Sequence, residues 1–221
     1  MFGKAAAAIS RVVRISREYV FGDGFPIRSE EERLLLTTCE EEYLRDPYRE
    51  RLSDFRRIIK EFCLDIDGRT LLDLGPGHMG FFEMCRRLGR PLELIGVERS
   101  PTLIEIGRRR GYKMIQGELT SESFTKNITS NSIELLFCRG SLNPAAVPNF
   151  SVWWDGIRIL LRPSAQIWIC PWWGKSIPLS SALEKRRTVH EVLKQNGVTV
   201  SVPPRWLSRG YDVHFSELWI R

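Results

Sequence analysis

Leu71-Leu72-Asp73-Leu74-Gly75-Pro76-Gly77-His78-Met79-Gly80 is the stretch on which the fold turns. Thr70 to Leu74 is an apolar run of strand length, and glycines at 75 and 77 follow it directly. These two glycines let the chain turn sharply and lay bare backbone against a ligand, with no Cβ in the way. Gly80 lets the next helix sit close to the sheet. The spacing G-x-G-x-x-G alone fits nicotinamide or flavin binding as well as any other adenosine-bearing ligand.

Downstream of this stretch, short apolar runs alternate with helical ones. His78 to Leu88 reads as a helix ended by Gly89, and Leu92 to Val97 as a second strand. Ser100-Pro101 caps a helix that Gly111 ends. Lys113 to Gln116, Ile133 to Cys138 and Gln166 to Cys170 read as strands three to five, with a helix over Asn149 to Leu161. A helix over Ser181 to Gln195, closed by Asn196-Gly197, leads to strand six at Val198 to Val202. Such alternation predicts parallel strands joined by helical crossovers. Val213 to Ile220 leaves no room for a crossover helix and is expected to return antiparallel. Upstream, Ser29 to Cys63 reads as helix, with Ser29 as cap, Glu30 to Glu32 in the first turn and a break at Asp46-Pro47. Turn chemistry at Asp65-Ile66-Asp67-Gly68 separates residues 1–64, a helical segment or lid, from a domain over 65–221.

Two acids narrow the ligand. Asp73 stands two residues before the first glycine, where a dinucleotide-binding strand carries a small or apolar residue. A carboxylate there suits an ammonium group better than a pyrophosphate. Glu98 ends strand two, 21 residues beyond Gly77, close to the ~20 expected of an acid that accepts hydrogen bonds from ribose hydroxyls. Each acid also has a plainer reading: Asp73 or Glu98 as a helix cap, Glu118 as a solvated loop acid.

Taken together, these residues resemble the class I S-adenosylmethionine-dependent methyltransferase family over about Thr70 to Arg221. Leu71 to Gly77 resembles its first motif and Glu98 its ribose-binding acid. Gln116-Gly117-Glu118-Leu119 resembles the adenine-lining segment, with Glu where the family more often has Asp. Ser130 to Arg139 resembles the polar turn that leads into strand four, and Leu160-Leu161-Arg162-Pro163 the segment before strand five. The resemblance implies a Rossmann-like three-layer α/β sandwich: a mostly parallel seven-stranded sheet, an antiparallel last strand and added N-terminal helices. It also implies S-adenosyl-L-methionine as cofactor, held by Asp73, Gly75, Pro76, Gly77, Glu98, Arg99, Gly117, Glu118 and Leu119. The backbone near Cys138 and Arg139 is expected at its methionine end.

In-line methyl transfer needs a base only when the acceptor must lose a proton, so the family lends no universal catalytic residue. The catalytic residue, if there is one, stays unknown. Arg139 and Asn143, after strand four, are candidate substrate-side polar groups, although Asn143-Pro144 also favours a plain turn. Trp172 and Trp173, after strand five, are placed to stack on a planar acceptor or to pack in the core. His78 reads as an exposed helix-start residue or, in the cofactor loop, as a hydrogen-bond partner for the carboxylate end of the cofactor, and neither His190 nor His214 stands where a base is needed.

Composition bounds the rest. The 221 residues, 43% of them hydrophobic, suffice for one sizeable core. No apolar run reaches the ~20 residues that span a bilayer. Five scattered cysteines without a C-x-x-C pair, and three histidines that do not pair, give no metal site and no disulfide framework. Reduced thiols in a cytoplasmic enzyme are the expectation. The net charge of +6 admits RNA or an anionic surface, yet runs such as Arg108-Arg109-Arg110 read as solvated helix faces. Met1 to Val20 reads as a basic amphipathic helix, docked on the domain or serving organelle targeting or membrane-surface contact. A small-molecule acceptor, methylated on oxygen or nitrogen, is the leading expectation. RNA methylation and a non-catalytic methyltransferase-like subunit are the alternatives.

Overall fold

The computed structural model describes residues 28–38, 52–142, 147–170, 179–197, 199–201 and 217–220. Among them are six α-helices: α1 (Glu30–Thr37), α2 (Leu52–Glu61), α3 (Gly80–Leu88), α4 (Pro101–Arg109), α5 (Phe150–Arg158) and α6 (Leu179–Gln195). Seven strands accompany them: β1 (Thr70–Leu74), β2 (Glu93–Glu98), β3 (Lys113–Gln116), β4 (Ile133–Arg139), β5 (Leu161–Cys170), β6 (Thr199–Ser201) and β7 (Glu217–Ile220).

The strands form one sheet in the order β3-β2-β1-β4-β5-β7-β6. The first five run parallel, and β7 lies antiparallel between β5 and β6. The order reverses beside β1, which pairs with β2 on one side and β4 on the other. Open α/β sheets bind ligands outside the carboxyl ends of their strands at such a point, so topology alone directs attention to the loop after Leu74.

Side chains alternate between the two faces, as the strand period requires. Leu71, Leu94, Leu135, Phe137 and Trp168 face a core shared with α2, α3 and α4. Leu72, Leu74, Ile95, Val97, Leu136 and Ile167 face a second core with α5, α6 and a short 3₁₀ turn at Ser123–Asn127. In the first core Phe81 stacks on Phe137 at 3.8 Å between centroids, and Phe137 on Trp168 at 4.8 Å. α2 belongs to this core: Leu52, Phe55, Ile58 and Ile59 make one buried stripe, with Phe55 against Phe81 and Phe137.

α1 is held differently. Ser29 Oγ caps it by accepting from the Glu32 N–H at 3.1 Å, but its only buried residues are Glu32 and Leu36. Leu36 reaches the same core, with Leu35 packed against it, and ion pairs add to the fastening. Arg110 donates from Nε and Nη2 to Glu32 at 2.8 and 2.5 Å, Arg109 to Glu31 at 2.6 Å, and Arg28 to Glu83 at 2.5 Å. This corrects the solvated-face expectation at Arg110 alone; Arg108 and Arg109 are exposed, as that reading has them. Arg110 is buried, because α1 delivers a carboxylate to it.

Several boundaries differ from expectation. Helix α3 starts at Gly80 rather than His78, since Met79 is left-handed (φ 63°) and the chain is still turning. β2 starts at Glu93 rather than Leu92, and β5 starts at Leu161 rather than Gln166, with a register shift opposite Ile133 and Leu135. Residues 1–27, with the expected basic helix, and the Asp46-Pro47 break lie outside the described residues.

Candidate functional site

The loop after β1 is shaped by three left-handed residues within five positions: Gly75 (φ 77°), Gly77 (φ 53°) and Met79 (φ 63°). Gly75 N–H donates to Val97 O at 2.9 Å, extending the β1–β2 ladder, and Met79 N–H donates to Pro76 O at 2.7 Å, closing the turn. A non-glycine left-handed residue costs roughly 1–2 kcal/mol, and Met79 sustains it by being fully buried. Gly75 is fixed by space as well as by φ. A Cβ there would lie 2.3 Å from Ser141 Cβ and 3.1 Å from Leu119 Cδ1. Three strand-end loops, after β1, β3 and β4, thus meet on this one glycine.

Asp73 is buried on the α3 side of β1, at 2% exposure. Burial pushes the neighbouring Cys85 thiol well up, and the Asp73 charge adds to that. Glu98 is buried at the end of β2. Its Oε1 accepts from the N–H groups of Arg99 (2.8 Å) and Ser100 (3.0 Å), and the carboxylate also takes the Gly77 N–H. Burial raises Glu98 above the usual carboxylate range against the pull of these three donors. The acid therefore caps the start of α4, whose cap residue Ser100 makes no side-chain cap bond, and also ties α4 to the glycine loop. The capping reading and the strand-end position hold together at this residue.

The remaining cofactor-side candidates lie on the same edge. Pro76 is buried, Gly75 and Gly77 half-buried, and Arg99 and Glu118 exposed. Gly117 has no room for a side chain, since a Cβ would sit 2.7 Å from Phe124 Cβ. Leu119 O accepts from Trp153 Nε1 at 2.8 Å, which fastens the loop after β3 to α5. Cys138 is buried.

Arg139 closes β4. Its Nη2 donates to Asp54 Oδ2 at 2.8 Å, and the guanidinium lies 4.9 Å from the Phe55 ring centroid. Arg139 thus also ties β4 to α2. His78, expected exposed, is buried, because the turn at 77–79 folds inward before α3 begins. Asn143, Trp172 and Trp173 lie outside the described residues. Ser141, which sequence reasoning does not single out, joins the same edge. It donates from Oγ to Gly75 O at 2.8 Å, with Arg139 O at 3.3 Å. The available signal is a Gly-Ser pair directly after a strand that ends beside the glycine loop.

The donor set fits S-adenosylmethionine. It offers two buried carboxylates at adjacent strand ends and, between them, a glycine backbone that carries no side chain. The described residues contain no group of histidine, cysteine and carboxylate side chains able to hold a metal ion. No described helix is long and apolar enough to cross a membrane.

No protein-family model matches the sequence, and no curated protein matches it. Solved structures do match, over most of the chain. An S-adenosylmethionine-dependent methyltransferase from Aquifex aeolicus is 16% identical, with 80% of this chain and 93% of that one covered and a TM-score of 0.54. A geranyl diphosphate methyltransferase in complex with GPP and sinefungin is 15% identical, with 78% of each chain covered and a TM-score of 0.52. A phosphoethanolamine N-methyltransferase 2 from Haemonchus contortus, in complex with phosphomonomethylethanolamine and S-adenosylhomocysteine, is 15% identical, with 71% of this chain and 40% of that one covered and a TM-score of 0.53. At these identities the likeness is one of fold: the chain has the α/β fold of S-adenosylmethionine-dependent methyltransferases.

Proposed function

We propose that this chain is an S-adenosylmethionine-dependent methyltransferase acting on oxygen or nitrogen of a small molecule. The observation that carries the reading is that Asp73 and Glu98 are both buried, on the paired strands β1 and β2, beside the loop Gly75-Pro76-Gly77 where strand order reverses. In this reading residues 65–221 form the cofactor domain, and residues 1–64 an N-terminal helical segment or lid. Asp73 supplies negative charge for the ammonium end. Glu98 faces the ribose. Gly117, Glu118 and Leu119 flank the adenine, and the ends of β1 and β4 meet at the methionine end.

Bound S-adenosylmethionine would supply an electrophilic methyl carried on a sulfonium. The protein contributes alignment, which is worth several kcal/mol when the reacting atoms are held in line. No side chain is assigned as base, in keeping with a transfer that needs none unless the acceptor is protonated. Support for a small acceptor comes from the similar proteins that carry GPP or phosphomonomethylethanolamine.

Tritiated methyl transfer into a fractionated cell extract tests the reading. Label in the low-molecular-mass fraction, dependent on this protein, is the expected result. Label confined to a ribonuclease-sensitive fraction would replace it with RNA methylation. No label in either fraction, despite tight cofactor binding, would favour a non-catalytic subunit.

A further inference from the structure

Ser141 lies where the loops after β1 and β4 meet, outside every motif that the sequence resemblance covers. Its Oγ–H donates to Gly75 O at 2.8 Å, with Arg139 O as a second acceptor in reach at 3.3 Å. A hydroxyl has one proton and two lone pairs, so a serine that donates to this carbonyl presents acceptor capacity on its outer side. Ser141 is exposed there. The packing also fixes where that capacity sits: the Cβ of Ser141 and the backbone of Gly75 leave no room for a side chain between them, so neither loop can shift toward the other.

The geometry points to Ser141 as a binding and positioning residue for the amino-acid half of the adenosyl ligand, its Oγ accepting from the ammonium while donating to Gly75 O. This inference rests on the proposed methyltransferase reading. Asp73 lies behind the glycine turn and is buried, so it acts through charge. Ser141 stands at the open edge and is placed for direct contact. A hydroxyl rather than a third carboxylate keeps the site from gathering excess negative charge beside Asp73 and Glu98, and it favours ligands that bring a hydrogen-bond donor.

The test is calorimetric titration of the full chain and of Ser141→Ala with two probes, S-adenosylhomocysteine and 5′-methylthioadenosine, which lacks the amino-acid half. Loss of a hydrogen bond to a charged group predicts a drop of about tenfold or more in S-adenosylhomocysteine affinity, with methylthioadenosine affinity and the thermal midpoint unchanged. Ser141→Thr, which keeps the hydroxyl, is expected to retain more of the affinity than Ser141→Ala. Parallel losses for both probes would mean that Ser141 only braces the loop, and equal affinities would mean that it touches nothing; either result overturns the inference. Failure of the unaltered protein to bind either probe would instead sink the methyltransferase reading, and this inference with it.

Discussion

Arg139, the last residue of β4, donates to Asp54 in the first turn of α2 across 2.8 Å, and its guanidinium covers the Phe55 ring. One side chain thereby binds an N-terminal helix to the sheet edge where the candidate site lies. The pair is partly buried, at 15% and 35% side-chain exposure. A double-mutant cycle with Arg139→Met and Asp54→Asn is expected to give a coupling energy of about 1 kcal/mol in urea unfolding. Additive effects would show that the contact contributes nothing to stability.

The Glu32–Arg110 pair is the buried counterpart, at 5% and 1% side-chain exposure. Arg110→Met strands a buried carboxylate and is expected to cost about 3 kcal/mol, whereas Glu32→Met with Arg110→Met should recover to within about 1 kcal/mol of the parent. Denaturant midpoints at equal slope decide it. Burial pulls Glu32 up, yet the Arg110 and Arg28 bonds hold it below the usual carboxylate value. For a lowered acid, the stabilisation is present above the unfolded value and is lost as pH falls through the folded one. Acid is therefore expected to weaken the attachment of α1, and amide exchange in α1 should accelerate with it.

Two glycines separate backbone strain from crowding. At Gly68 (φ 66°) an added Cβ would meet nothing within 4 Å, while at Gly75 (φ 77°) it would meet Ser141 Cβ at 2.3 Å. Gly68→Ala is expected to cost about 1 kcal/mol, from left-handed strain alone. Gly75→Ala must also displace the loop after β4, so a cost of about 3 kcal/mol is expected, together with loss of adenosyl-ligand binding. Equal costs for the two variants would contradict the packing described at Gly75.

Glu98 behaves in the opposite sense with pH. Burial raises it despite the N–H groups of Ser100, Arg99 and Gly77. An acid raised by folding binds its proton more tightly in the folded state, so its ionised form weakens the fold above the raised value. Glu98→Gln should therefore melt higher than the parent at about pH 8, and this advantage should vanish by about pH 4, below the unfolded value. The same variant is expected to bind S-adenosylhomocysteine less tightly. A variant that melts lower at both pH values would show that the carboxylate is a cap and nothing more.

The parallel core is legible in the sequence because it is written locally, in apolar runs of strand length and in the glycines that end them. Asp73 and Glu98 stand out for the same reason: each is set by its distance from a glycine in the same βαβ unit. Arg110 and Arg139 escape such reading because their partners, Glu32 and Asp54, lie 78 and 85 residues away. No local pattern announces a carboxylate brought in by another helix. His78 changes environment through a boundary shift of two residues, since a helix beginning at His78 exposes it and a turn through Met79 buries it. Ser141 acquires meaning only from its approach to Gly75, 66 residues earlier.

Every functional assignment above depends on the loop Asp73 to Gly77 holding an adenosyl ligand. Calorimetric titration of the full chain with S-adenosylmethionine, S-adenosylhomocysteine and NADH, beside a Gly75→Arg control, decides whether it does. The expected result is saturable binding of both adenosyl ligands, no binding of NADH, and loss of all binding in a control that still unfolds cooperatively. Absence of adenosyl binding by the folded parent protein, or equal binding by the control, would contradict it.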